Sequence, residues 1–142
     1  MTKKKRVMIG VVVLLFLLLI VILLLCIRKP IFSTHVDQII LKTYSHSHTL
    51  GNTEVVLDSD EAQKAILLYN FAGIGGEITS EPCCATYWLE VYFADGSQIR
   101  ISEDDKDKMI ITPVSGERYY IRSKALVNFV HELIERYDMV CD

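Results

Sequence analysis

Two pairs of residues in this sequence have side chains of the types that bind transition metals. His46 and His48 are two positions apart, so an extended backbone would place both imidazoles on the same side of the chain. Cys83 and Cys84 are adjacent, and with the two histidines they would complete a ligand set that zinc or copper accepts. Neither pair has the two-residue gap of a zinc knuckle, and solvated loop histidines are the simpler interpretation. A metal- or thiol-handling domain is therefore the alternative hypothesis, and no cofactor is predicted.

The cysteines also offer covalent chemistry. In an oxidising compartment, Cys83 or Cys84 could form a disulfide bond with Cys141. Such a bond would tie a long loop to the C-terminus and stabilise the domain by roughly 3 to 4 kcal/mol on a loop-closure argument. Free, partly buried thiols are the competing interpretation, and the spacing leaves both open.

The sequence contains no local catalytic motif. Residues 73–76 read Gly-Ile-Gly-Gly, but they lack the Lys-Ser/Thr of a phosphate-binding loop and follow a predicted helix rather than a strand. The acidic turn at 103–107 lacks the glycine and the terminal glutamate of a calcium-binding EF-hand. No nucleophile, base and orienting acid share a short motif. These observations predict a protein that is not an enzyme.

A candidate interface lies in the predicted hairpin at 87–102. Strand alternation places Trp88 and Tyr92 on the face opposite the apolar one, and Tyr120 on a later strand is a further member of this aromatic group. Large aromatic side chains on an open sheet face anchor contacts with proteins or peptides. Covering the sheet is the competing role for the same residues.

The register of this hairpin can be predicted from its apolar side chains. A two-residue turn would put the apolar residues of the two arms on opposite faces of the sheet. A three-residue turn, Ala94-Asp95-Gly96 with a left-handed glycine, pairs Val91 with Ile99 and keeps them together. The same reasoning applied to the second hairpin pairs Ile111 with Tyr119.

Two amphipathic helices are predicted to cover the apolar face of this sheet. The first begins at Asp58, where Glu61 can complete a capping box, and the second follows a capping Ser123. Residues 73–86 are predicted to be irregular. The fold class is therefore α+β, a two-layer domain with an antiparallel sheet and two helices on one face, in the order β-(β)-α-β-β-β-β-α.

An apolar run precedes this domain. Residues 7–27 contain no charge and no proline, and as a helix they would span roughly 31 Å, about the thickness of a bilayer's hydrocarbon core. A single transmembrane helix that binds the lipid bilayer is therefore predicted. A lipoprotein modified at Cys26 and a cleaved signal sequence are the alternatives.

Charge predicts the orientation and the partners. Four cations before residue 7 favour a cytoplasmic basic tail at 1–6, a transmembrane helix at 7–27, a spacer at 28–35 and an extracytoplasmic domain at 36–142. Residues 30–142 contain 9 cations and 18 anions, a formal charge of −9, which argues against nucleic acid as a partner.

The leading functional hypothesis combines these features. We predict a single-pass membrane protein whose acidic extracytoplasmic domain binds a protein or peptide as an accessory, sensor or immunity component. The metal- or thiol-handling domain with His46, His48, Cys83 and Cys84 remains the alternative.

Overall fold

The structure is a computed structural model, and it describes residues 3–27, 30–31, 33–45, 53–78, 85–105, 107–113 and 117–140. The chain divides into two compact units, Met1–Pro30 and Ile31–Asp142. The elements in chain order are α1 (Lys3–Ile27), a short 3₁₀ turn (Ser33–His35), β1 (Val36–Thr43), β2 (Glu54–Val56), α2 (Ser59–Asn70), β3 (Gly73–Glu77), β4 (Tyr87–Phe93), β5 (Gln98–Asp105), β6 (Lys108–Thr112), β7 (Tyr119–Arg122) and α3 (Lys124–Arg136).

The first unit consists mainly of helix α1. Its described side chains from Val7 to Leu23 are all exposed. Among the described residues, no helix is long and apolar enough to cross a membrane. This finding contradicts the predicted transmembrane helix and the single-pass membrane localisation, which are corrected accordingly.

The second unit is an α+β domain built on one sheet of seven antiparallel strands, in the spatial order β2-β1-β4-β5-β6-β7-β3. Strand β3 lies within the stretch 73–86 that was predicted to be irregular, so that prediction is wrong for its first five residues. The glycines of β3 carry little intrinsic strand propensity. Pairing with β7, from Gly73 opposite Arg122 to Glu77 opposite Tyr119, makes this segment a strand.

Both predicted hairpin registers are confirmed. Val91 pairs with Ile99 across β4 and β5, and the connection is the three-residue turn in which Gly96 has a φ of 83°. In the second hairpin, Ile111 pairs with Tyr119. Because a slip of one residue would reverse the two faces, the apolar pattern was sufficient to fix the register.

Both helices of this unit begin where the sequence predicted. Asp58 accepts a hydrogen bond from the backbone N–H of Glu61, and the Glu61 side chain accepts one from the backbone N–H of Asp58, which completes the capping box. Ser123 accepts a hydrogen bond from the backbone N–H of Leu126 and caps α3. Such caps satisfy backbone donors that the first turn of a helix leaves free.

A single apolar core joins the helices to one face of the sheet. It contains Leu41, Leu89, Met109 and Ile121 from the strands, Ile66 and Tyr69 from α2, and Leu126, Val130 and Leu133 from α3. A partly buried ionic contact links the helices, because the buried Glu61 carboxylate accepts hydrogen bonds from Arg136 at 2.8 Å and from the Tyr137 hydroxyl. With both helices packed on one face, the side chains of the opposite face are left to form a separate surface.

Candidate functional site

The sheet face that points away from α2 and α3 is called the open face here. Strand alternation and cross-strand pairing define its members, which alternate along the strands with residues that face the helices. The open face carries Ile40, Lys42, Glu54, Trp88, Glu90, Tyr92, Arg100, Lys108, Ile110, Tyr120 and Arg122.

Two apolar residues form the floor of the open face. Ile40 and Ile110 are 7% and 1% exposed, yet neither belongs to the core cluster beneath the helices. Ile110 pairs with Tyr120 on one side and with Ser102 on the other, and Ile40 pairs with Glu90. The polar and aromatic residues of the open face therefore surround a small apolar layer of their own.

Glu90 lies at the centre of this surface and is only 7% exposed. Its Oε2 accepts a hydrogen bond from the Tyr92 hydroxyl at 2.7 Å and lies 3.0 Å from Lys42 Nζ. Its Oε1 accepts hydrogen bonds from Trp88 Nε1 at 3.0 Å and from Arg100 Nη2 at 3.2 Å. Four side chains from three neighbouring strands are thus fixed by one carboxylate.

The electrostatics of Glu90 follow from these contacts. Burial alone would raise the pKa of this carboxyl, but hydrogen bonds from Tyr92, Lys42 and Trp88 outweigh burial and lower its pKa from 4.5 to about 2. The same contact with Glu90 raises the pKa of the Lys42 ammonium. Glu90 is therefore ionised at neutral pH and acts as a fixed acceptor that orients the surrounding donors.

The aromatic rings of the open face are paired with cations. The Arg100 guanidinium carbon lies 5.3 Å from the centre of the Trp88 ring, and Lys108 Nζ lies 5.8 Å from the centre of the Tyr120 ring. Both distances fall within the range of a cation–π interaction. The Arg100 side chain nevertheless remains 52% exposed, so its remaining N–H donors can reach a ligand.

Charge is unevenly distributed over the domain. Among the described side chains of residues 30–142, the open face holds four of eight cations and two of 14 anions, Glu54 and Glu90. The other described side chains therefore include four cations and twelve anions. The domain as a whole is acidic, but its open face is slightly basic. The formal charge of −9 for residues 30–142 conceals this difference.

The predicted aromatic interface is brought together by the fold. Trp88 and Tyr92 flank Glu90 on β4, and Tyr120 lies on the same face three strands away. Sequence analysis missed Glu90, Lys42 and Arg100. A recognisable signal was present for Glu90, since a glutamate two residues from each of two aromatic residues in a strand must share their face.

The other predicted site residues give a different outcome. His46, His48, Cys83, Cys84 and Cys141 all lie outside the described residues, so the proposed metal site and the proposed disulfide bonds remain predictions. Among the residues that the structure does describe, no group of three or more His, Cys, Asp or Glu side chains is arranged to hold a metal ion.

A cleft of about 450 Å³ lies between β1, β2 and the start of α2. Its walls combine apolar side chains such as Ile39 and Ile66 with the polar residues Gln38, Asp58 and Gln63. The Asp58 carboxylate is already occupied by the helix cap.

Comparison with known proteins gives one result at the level of structure. No protein-family model and no curated protein matches the chain. A solved structure of a thioesterase-like protein from Clostridium sporogenes ATCC 15579 is similar, with 17% sequence identity, a TM-score of 0.45, and coverage of 70% of this chain and 94% of that one.

The prediction of a membrane-anchored interaction protein is wrong, because no helix among the described residues is long and apolar enough to cross a membrane. The prediction that the protein is not an enzyme is withdrawn, since it rested on the lack of a local sequence motif and catalytic residues can come together from distant positions. The thioesterase-like description belongs to the similar protein.

Proposed function

We propose that the open face binds an acidic segment of a partner protein or peptide. The observation that carries this proposal is the concentration of cations and aromatic rings on one face of an otherwise acidic domain. A surface of this kind attracts anionic groups and offers flat apolar area for contact.

The geometry around Glu90 supports this role. Holding Arg100 and Tyr92 in place before binding reduces the conformational entropy that association would otherwise cost. Arg100 is suited to the task, because a guanidinium can donate two parallel hydrogen bonds to a carboxylate. Glu90 is a positioning residue here, and Arg100, Lys108 and Arg122 are the groups that would contact the partner.

A protein segment fits this surface better than nucleic acid does. Single-stranded nucleic acid requires free aromatic faces and a continuous basic groove along its backbone. Here the rings of Trp88 and Tyr120 are paired with cations, and twelve of the 14 described anionic side chains of the domain lie elsewhere. Short acidic segments with apolar residues avoid most of that repulsion, since charges beyond about 8 Å are screened at physiological salt.

Trp88 provides the assay, because it is the single tryptophan of the chain. The full-length protein would be titrated with a synthetic peptide of alternating glutamate and leucine, and the Trp88 fluorescence would be recorded. We expect saturable binding that weakens as salt is added. A peptide with lysine in place of glutamate, and a single-stranded DNA oligonucleotide, serve as comparison ligands.

Charge reversal tests the location of the site. Arg122→Glu on the open face is expected to weaken binding of the acidic peptide at least about tenfold, a change of about 1.4 kcal/mol. Lys124→Glu, two residues away at the exposed start of α3, is the matched control and is expected to leave affinity nearly unchanged. Equal effects of the two variants, or tighter binding of the oligonucleotide than of the acidic peptide, would overturn the proposal.

A further inference from the structure

Strand β3 forms one edge of the sheet and differs from the opposite edge. Among the described strands it pairs with β7 alone, so its other side has no backbone partner in that part of the chain. Proteins usually protect such edges with charged residues, proline, a β-bulge or a very short strand. The other edge strand, β2, has three residues, whereas β3 has five, carries neither proline nor any charge before Glu77, and has a bulge at Gly75 as its one such device.

An exposed apolar patch lies beside this edge. Leu67 and Phe71 are four residues apart at the end of α2 and are 56% and 82% exposed. Ile74 in β3 is 51% exposed and pairs with Ile121, so it faces the helical side of the sheet as they do. Only Ala72 separates Phe71 from the start of β3. These three residues are called the edge patch. Polar residues normally occupy the solvent-facing positions of a helix end.

The charges of the domain decide which partner suits this edge. Two copies of a domain with a formal charge of −9 repel each other over most of their surfaces. The acidic residues of α2 are confined to its first turn, and its last turn contains none. The edge patch is thus a place where two copies can approach without facing rows of anions.

The register of β3 is also compatible with self-pairing. The ladder with β7 contains a bulge at Gly75, so that Gly75 and Gly76 both lie opposite Tyr120. An antiparallel pair with a two-fold axis between these glycines sets Gly75 of one copy opposite Gly76 of the other. Each residue of one copy is then opposite a residue that lies on the same face of the joined sheet. The two Glu77 positions lie at opposite ends of the pair.

We propose that β3 pairs with β3 of a second copy of this chain, which joins the two sheets and buries the edge patch of each copy. The interface is isologous, as a two-fold axis requires. It uses a surface separate from the open face and does not depend on the function proposed for that face.

Hydrogen exchange measured by mass spectrometry tests the pairing on the full-length chain. We expect amides of β3 to exchange at least about tenfold more slowly as the protein concentration rises from about 1 µM to about 100 µM, a range that covers ordinary homodimer affinities. This readout is local, so self-association through another surface would not produce it. Exchange in β3 that is independent of concentration would overturn the proposal.

Three variants assign the effect to the edge. Ile74→Lys places a charge on β3 and is expected to abolish the concentration dependence, as is Phe71→Ser, which removes an exposed ring that the domain core does not need. Val56→Lys is the matched control, because Val56 is 56% exposed at the opposite edge. Loss of protection in all three variants, or in none, would refute pairing through β3, as would protection that appears only when a different protein is added.

Discussion

Glu90 gives the sharpest prediction, because it links the stability of the domain to the architecture of the open face. Its pKa is 4.5 in the reference state and about 2 in the folded protein. Each pKa unit corresponds to 1.36 kcal/mol, so ionised Glu90 contributes about 3 kcal/mol to the free energy of unfolding. This value is an upper figure, since the side chain retains 9% exposure.

The direction of the pH dependence follows from the sign of the shift. The folded-state pKa is lower than the unfolded one, so the unfolded chain binds a proton first as the solution is acidified. The contribution of Glu90 is therefore complete above about pH 5 and is lost progressively as the pH falls from 4.5 towards 2. Glu90→Gln should lower stability at pH 7 by about 2 to 3 kcal/mol and should flatten the stability profile in this acid window.

Urea unfolding between pH 2 and pH 7, followed by Trp88 fluorescence, measures this contribution at the site itself. Glu54→Gln is the matched control, because Glu54 contacts the same Lys42 Nζ at 3.3 Å but its side chain is 55% exposed. Its effect should stay below about 1 kcal/mol, as for other exposed ion pairs. If Glu90→Gln and wild type lose stability in parallel between pH 5 and pH 2, the stabilising role assigned to the hydrogen bonds of Glu90 is refuted.

Three further substitutions test the fold around this surface by denaturant unfolding. Gly75→Ala should destabilise the domain by about 1 to 3 kcal/mol, because the new Cβ would lie 2.6 Å from Tyr120 Cβ. Gly73→Ala should cost much less, because the nearest atom to its new Cβ would be 3.7 Å away. Similar losses of stability in the two variants would contradict the bulge geometry. Ser123→Ala should cost about 1 kcal/mol through loss of the α3 cap, and Ser123→Thr should largely preserve stability. Leu133→Ala should cost about 2 to 5 kcal/mol, since this side chain is fully buried under the sheet, and a loss below about 1 kcal/mol would argue against that packing.

The hairpin register and the helix cap could be predicted because each depends on residues that are close in sequence. The alternation in β4 and β5 allowed one register only, and the observed pairing of Val91 with Ile99 agrees with it. Likewise, the cap at Asp58 depends on residues within one helical turn. In both cases the interacting groups are close in sequence, so the pattern contains the information that the fold uses.

Strand β3 and the membrane prediction mark where sequence patterns were insufficient. Gly73–Glu77 has no strand-like pattern of its own, and it becomes a strand because β7, more than 40 residues later, supplies its hydrogen-bonding partner. The run at 7–27 was interpreted from composition alone, and no helix of the described residues qualifies as a membrane span.

The sequence by itself determined the α+β class, the starts of α2 and α3 and the hairpin registers, because these depend on neighbouring residues and on which side chains avoid water. Only the tertiary structure decided that Glu90 would be surrounded by donors from three strands and that the open face would be basic within an acidic domain. The physical reason is that a pKa and a surface potential depend on distances between residues far apart in sequence, and those distances exist only once the strands have paired.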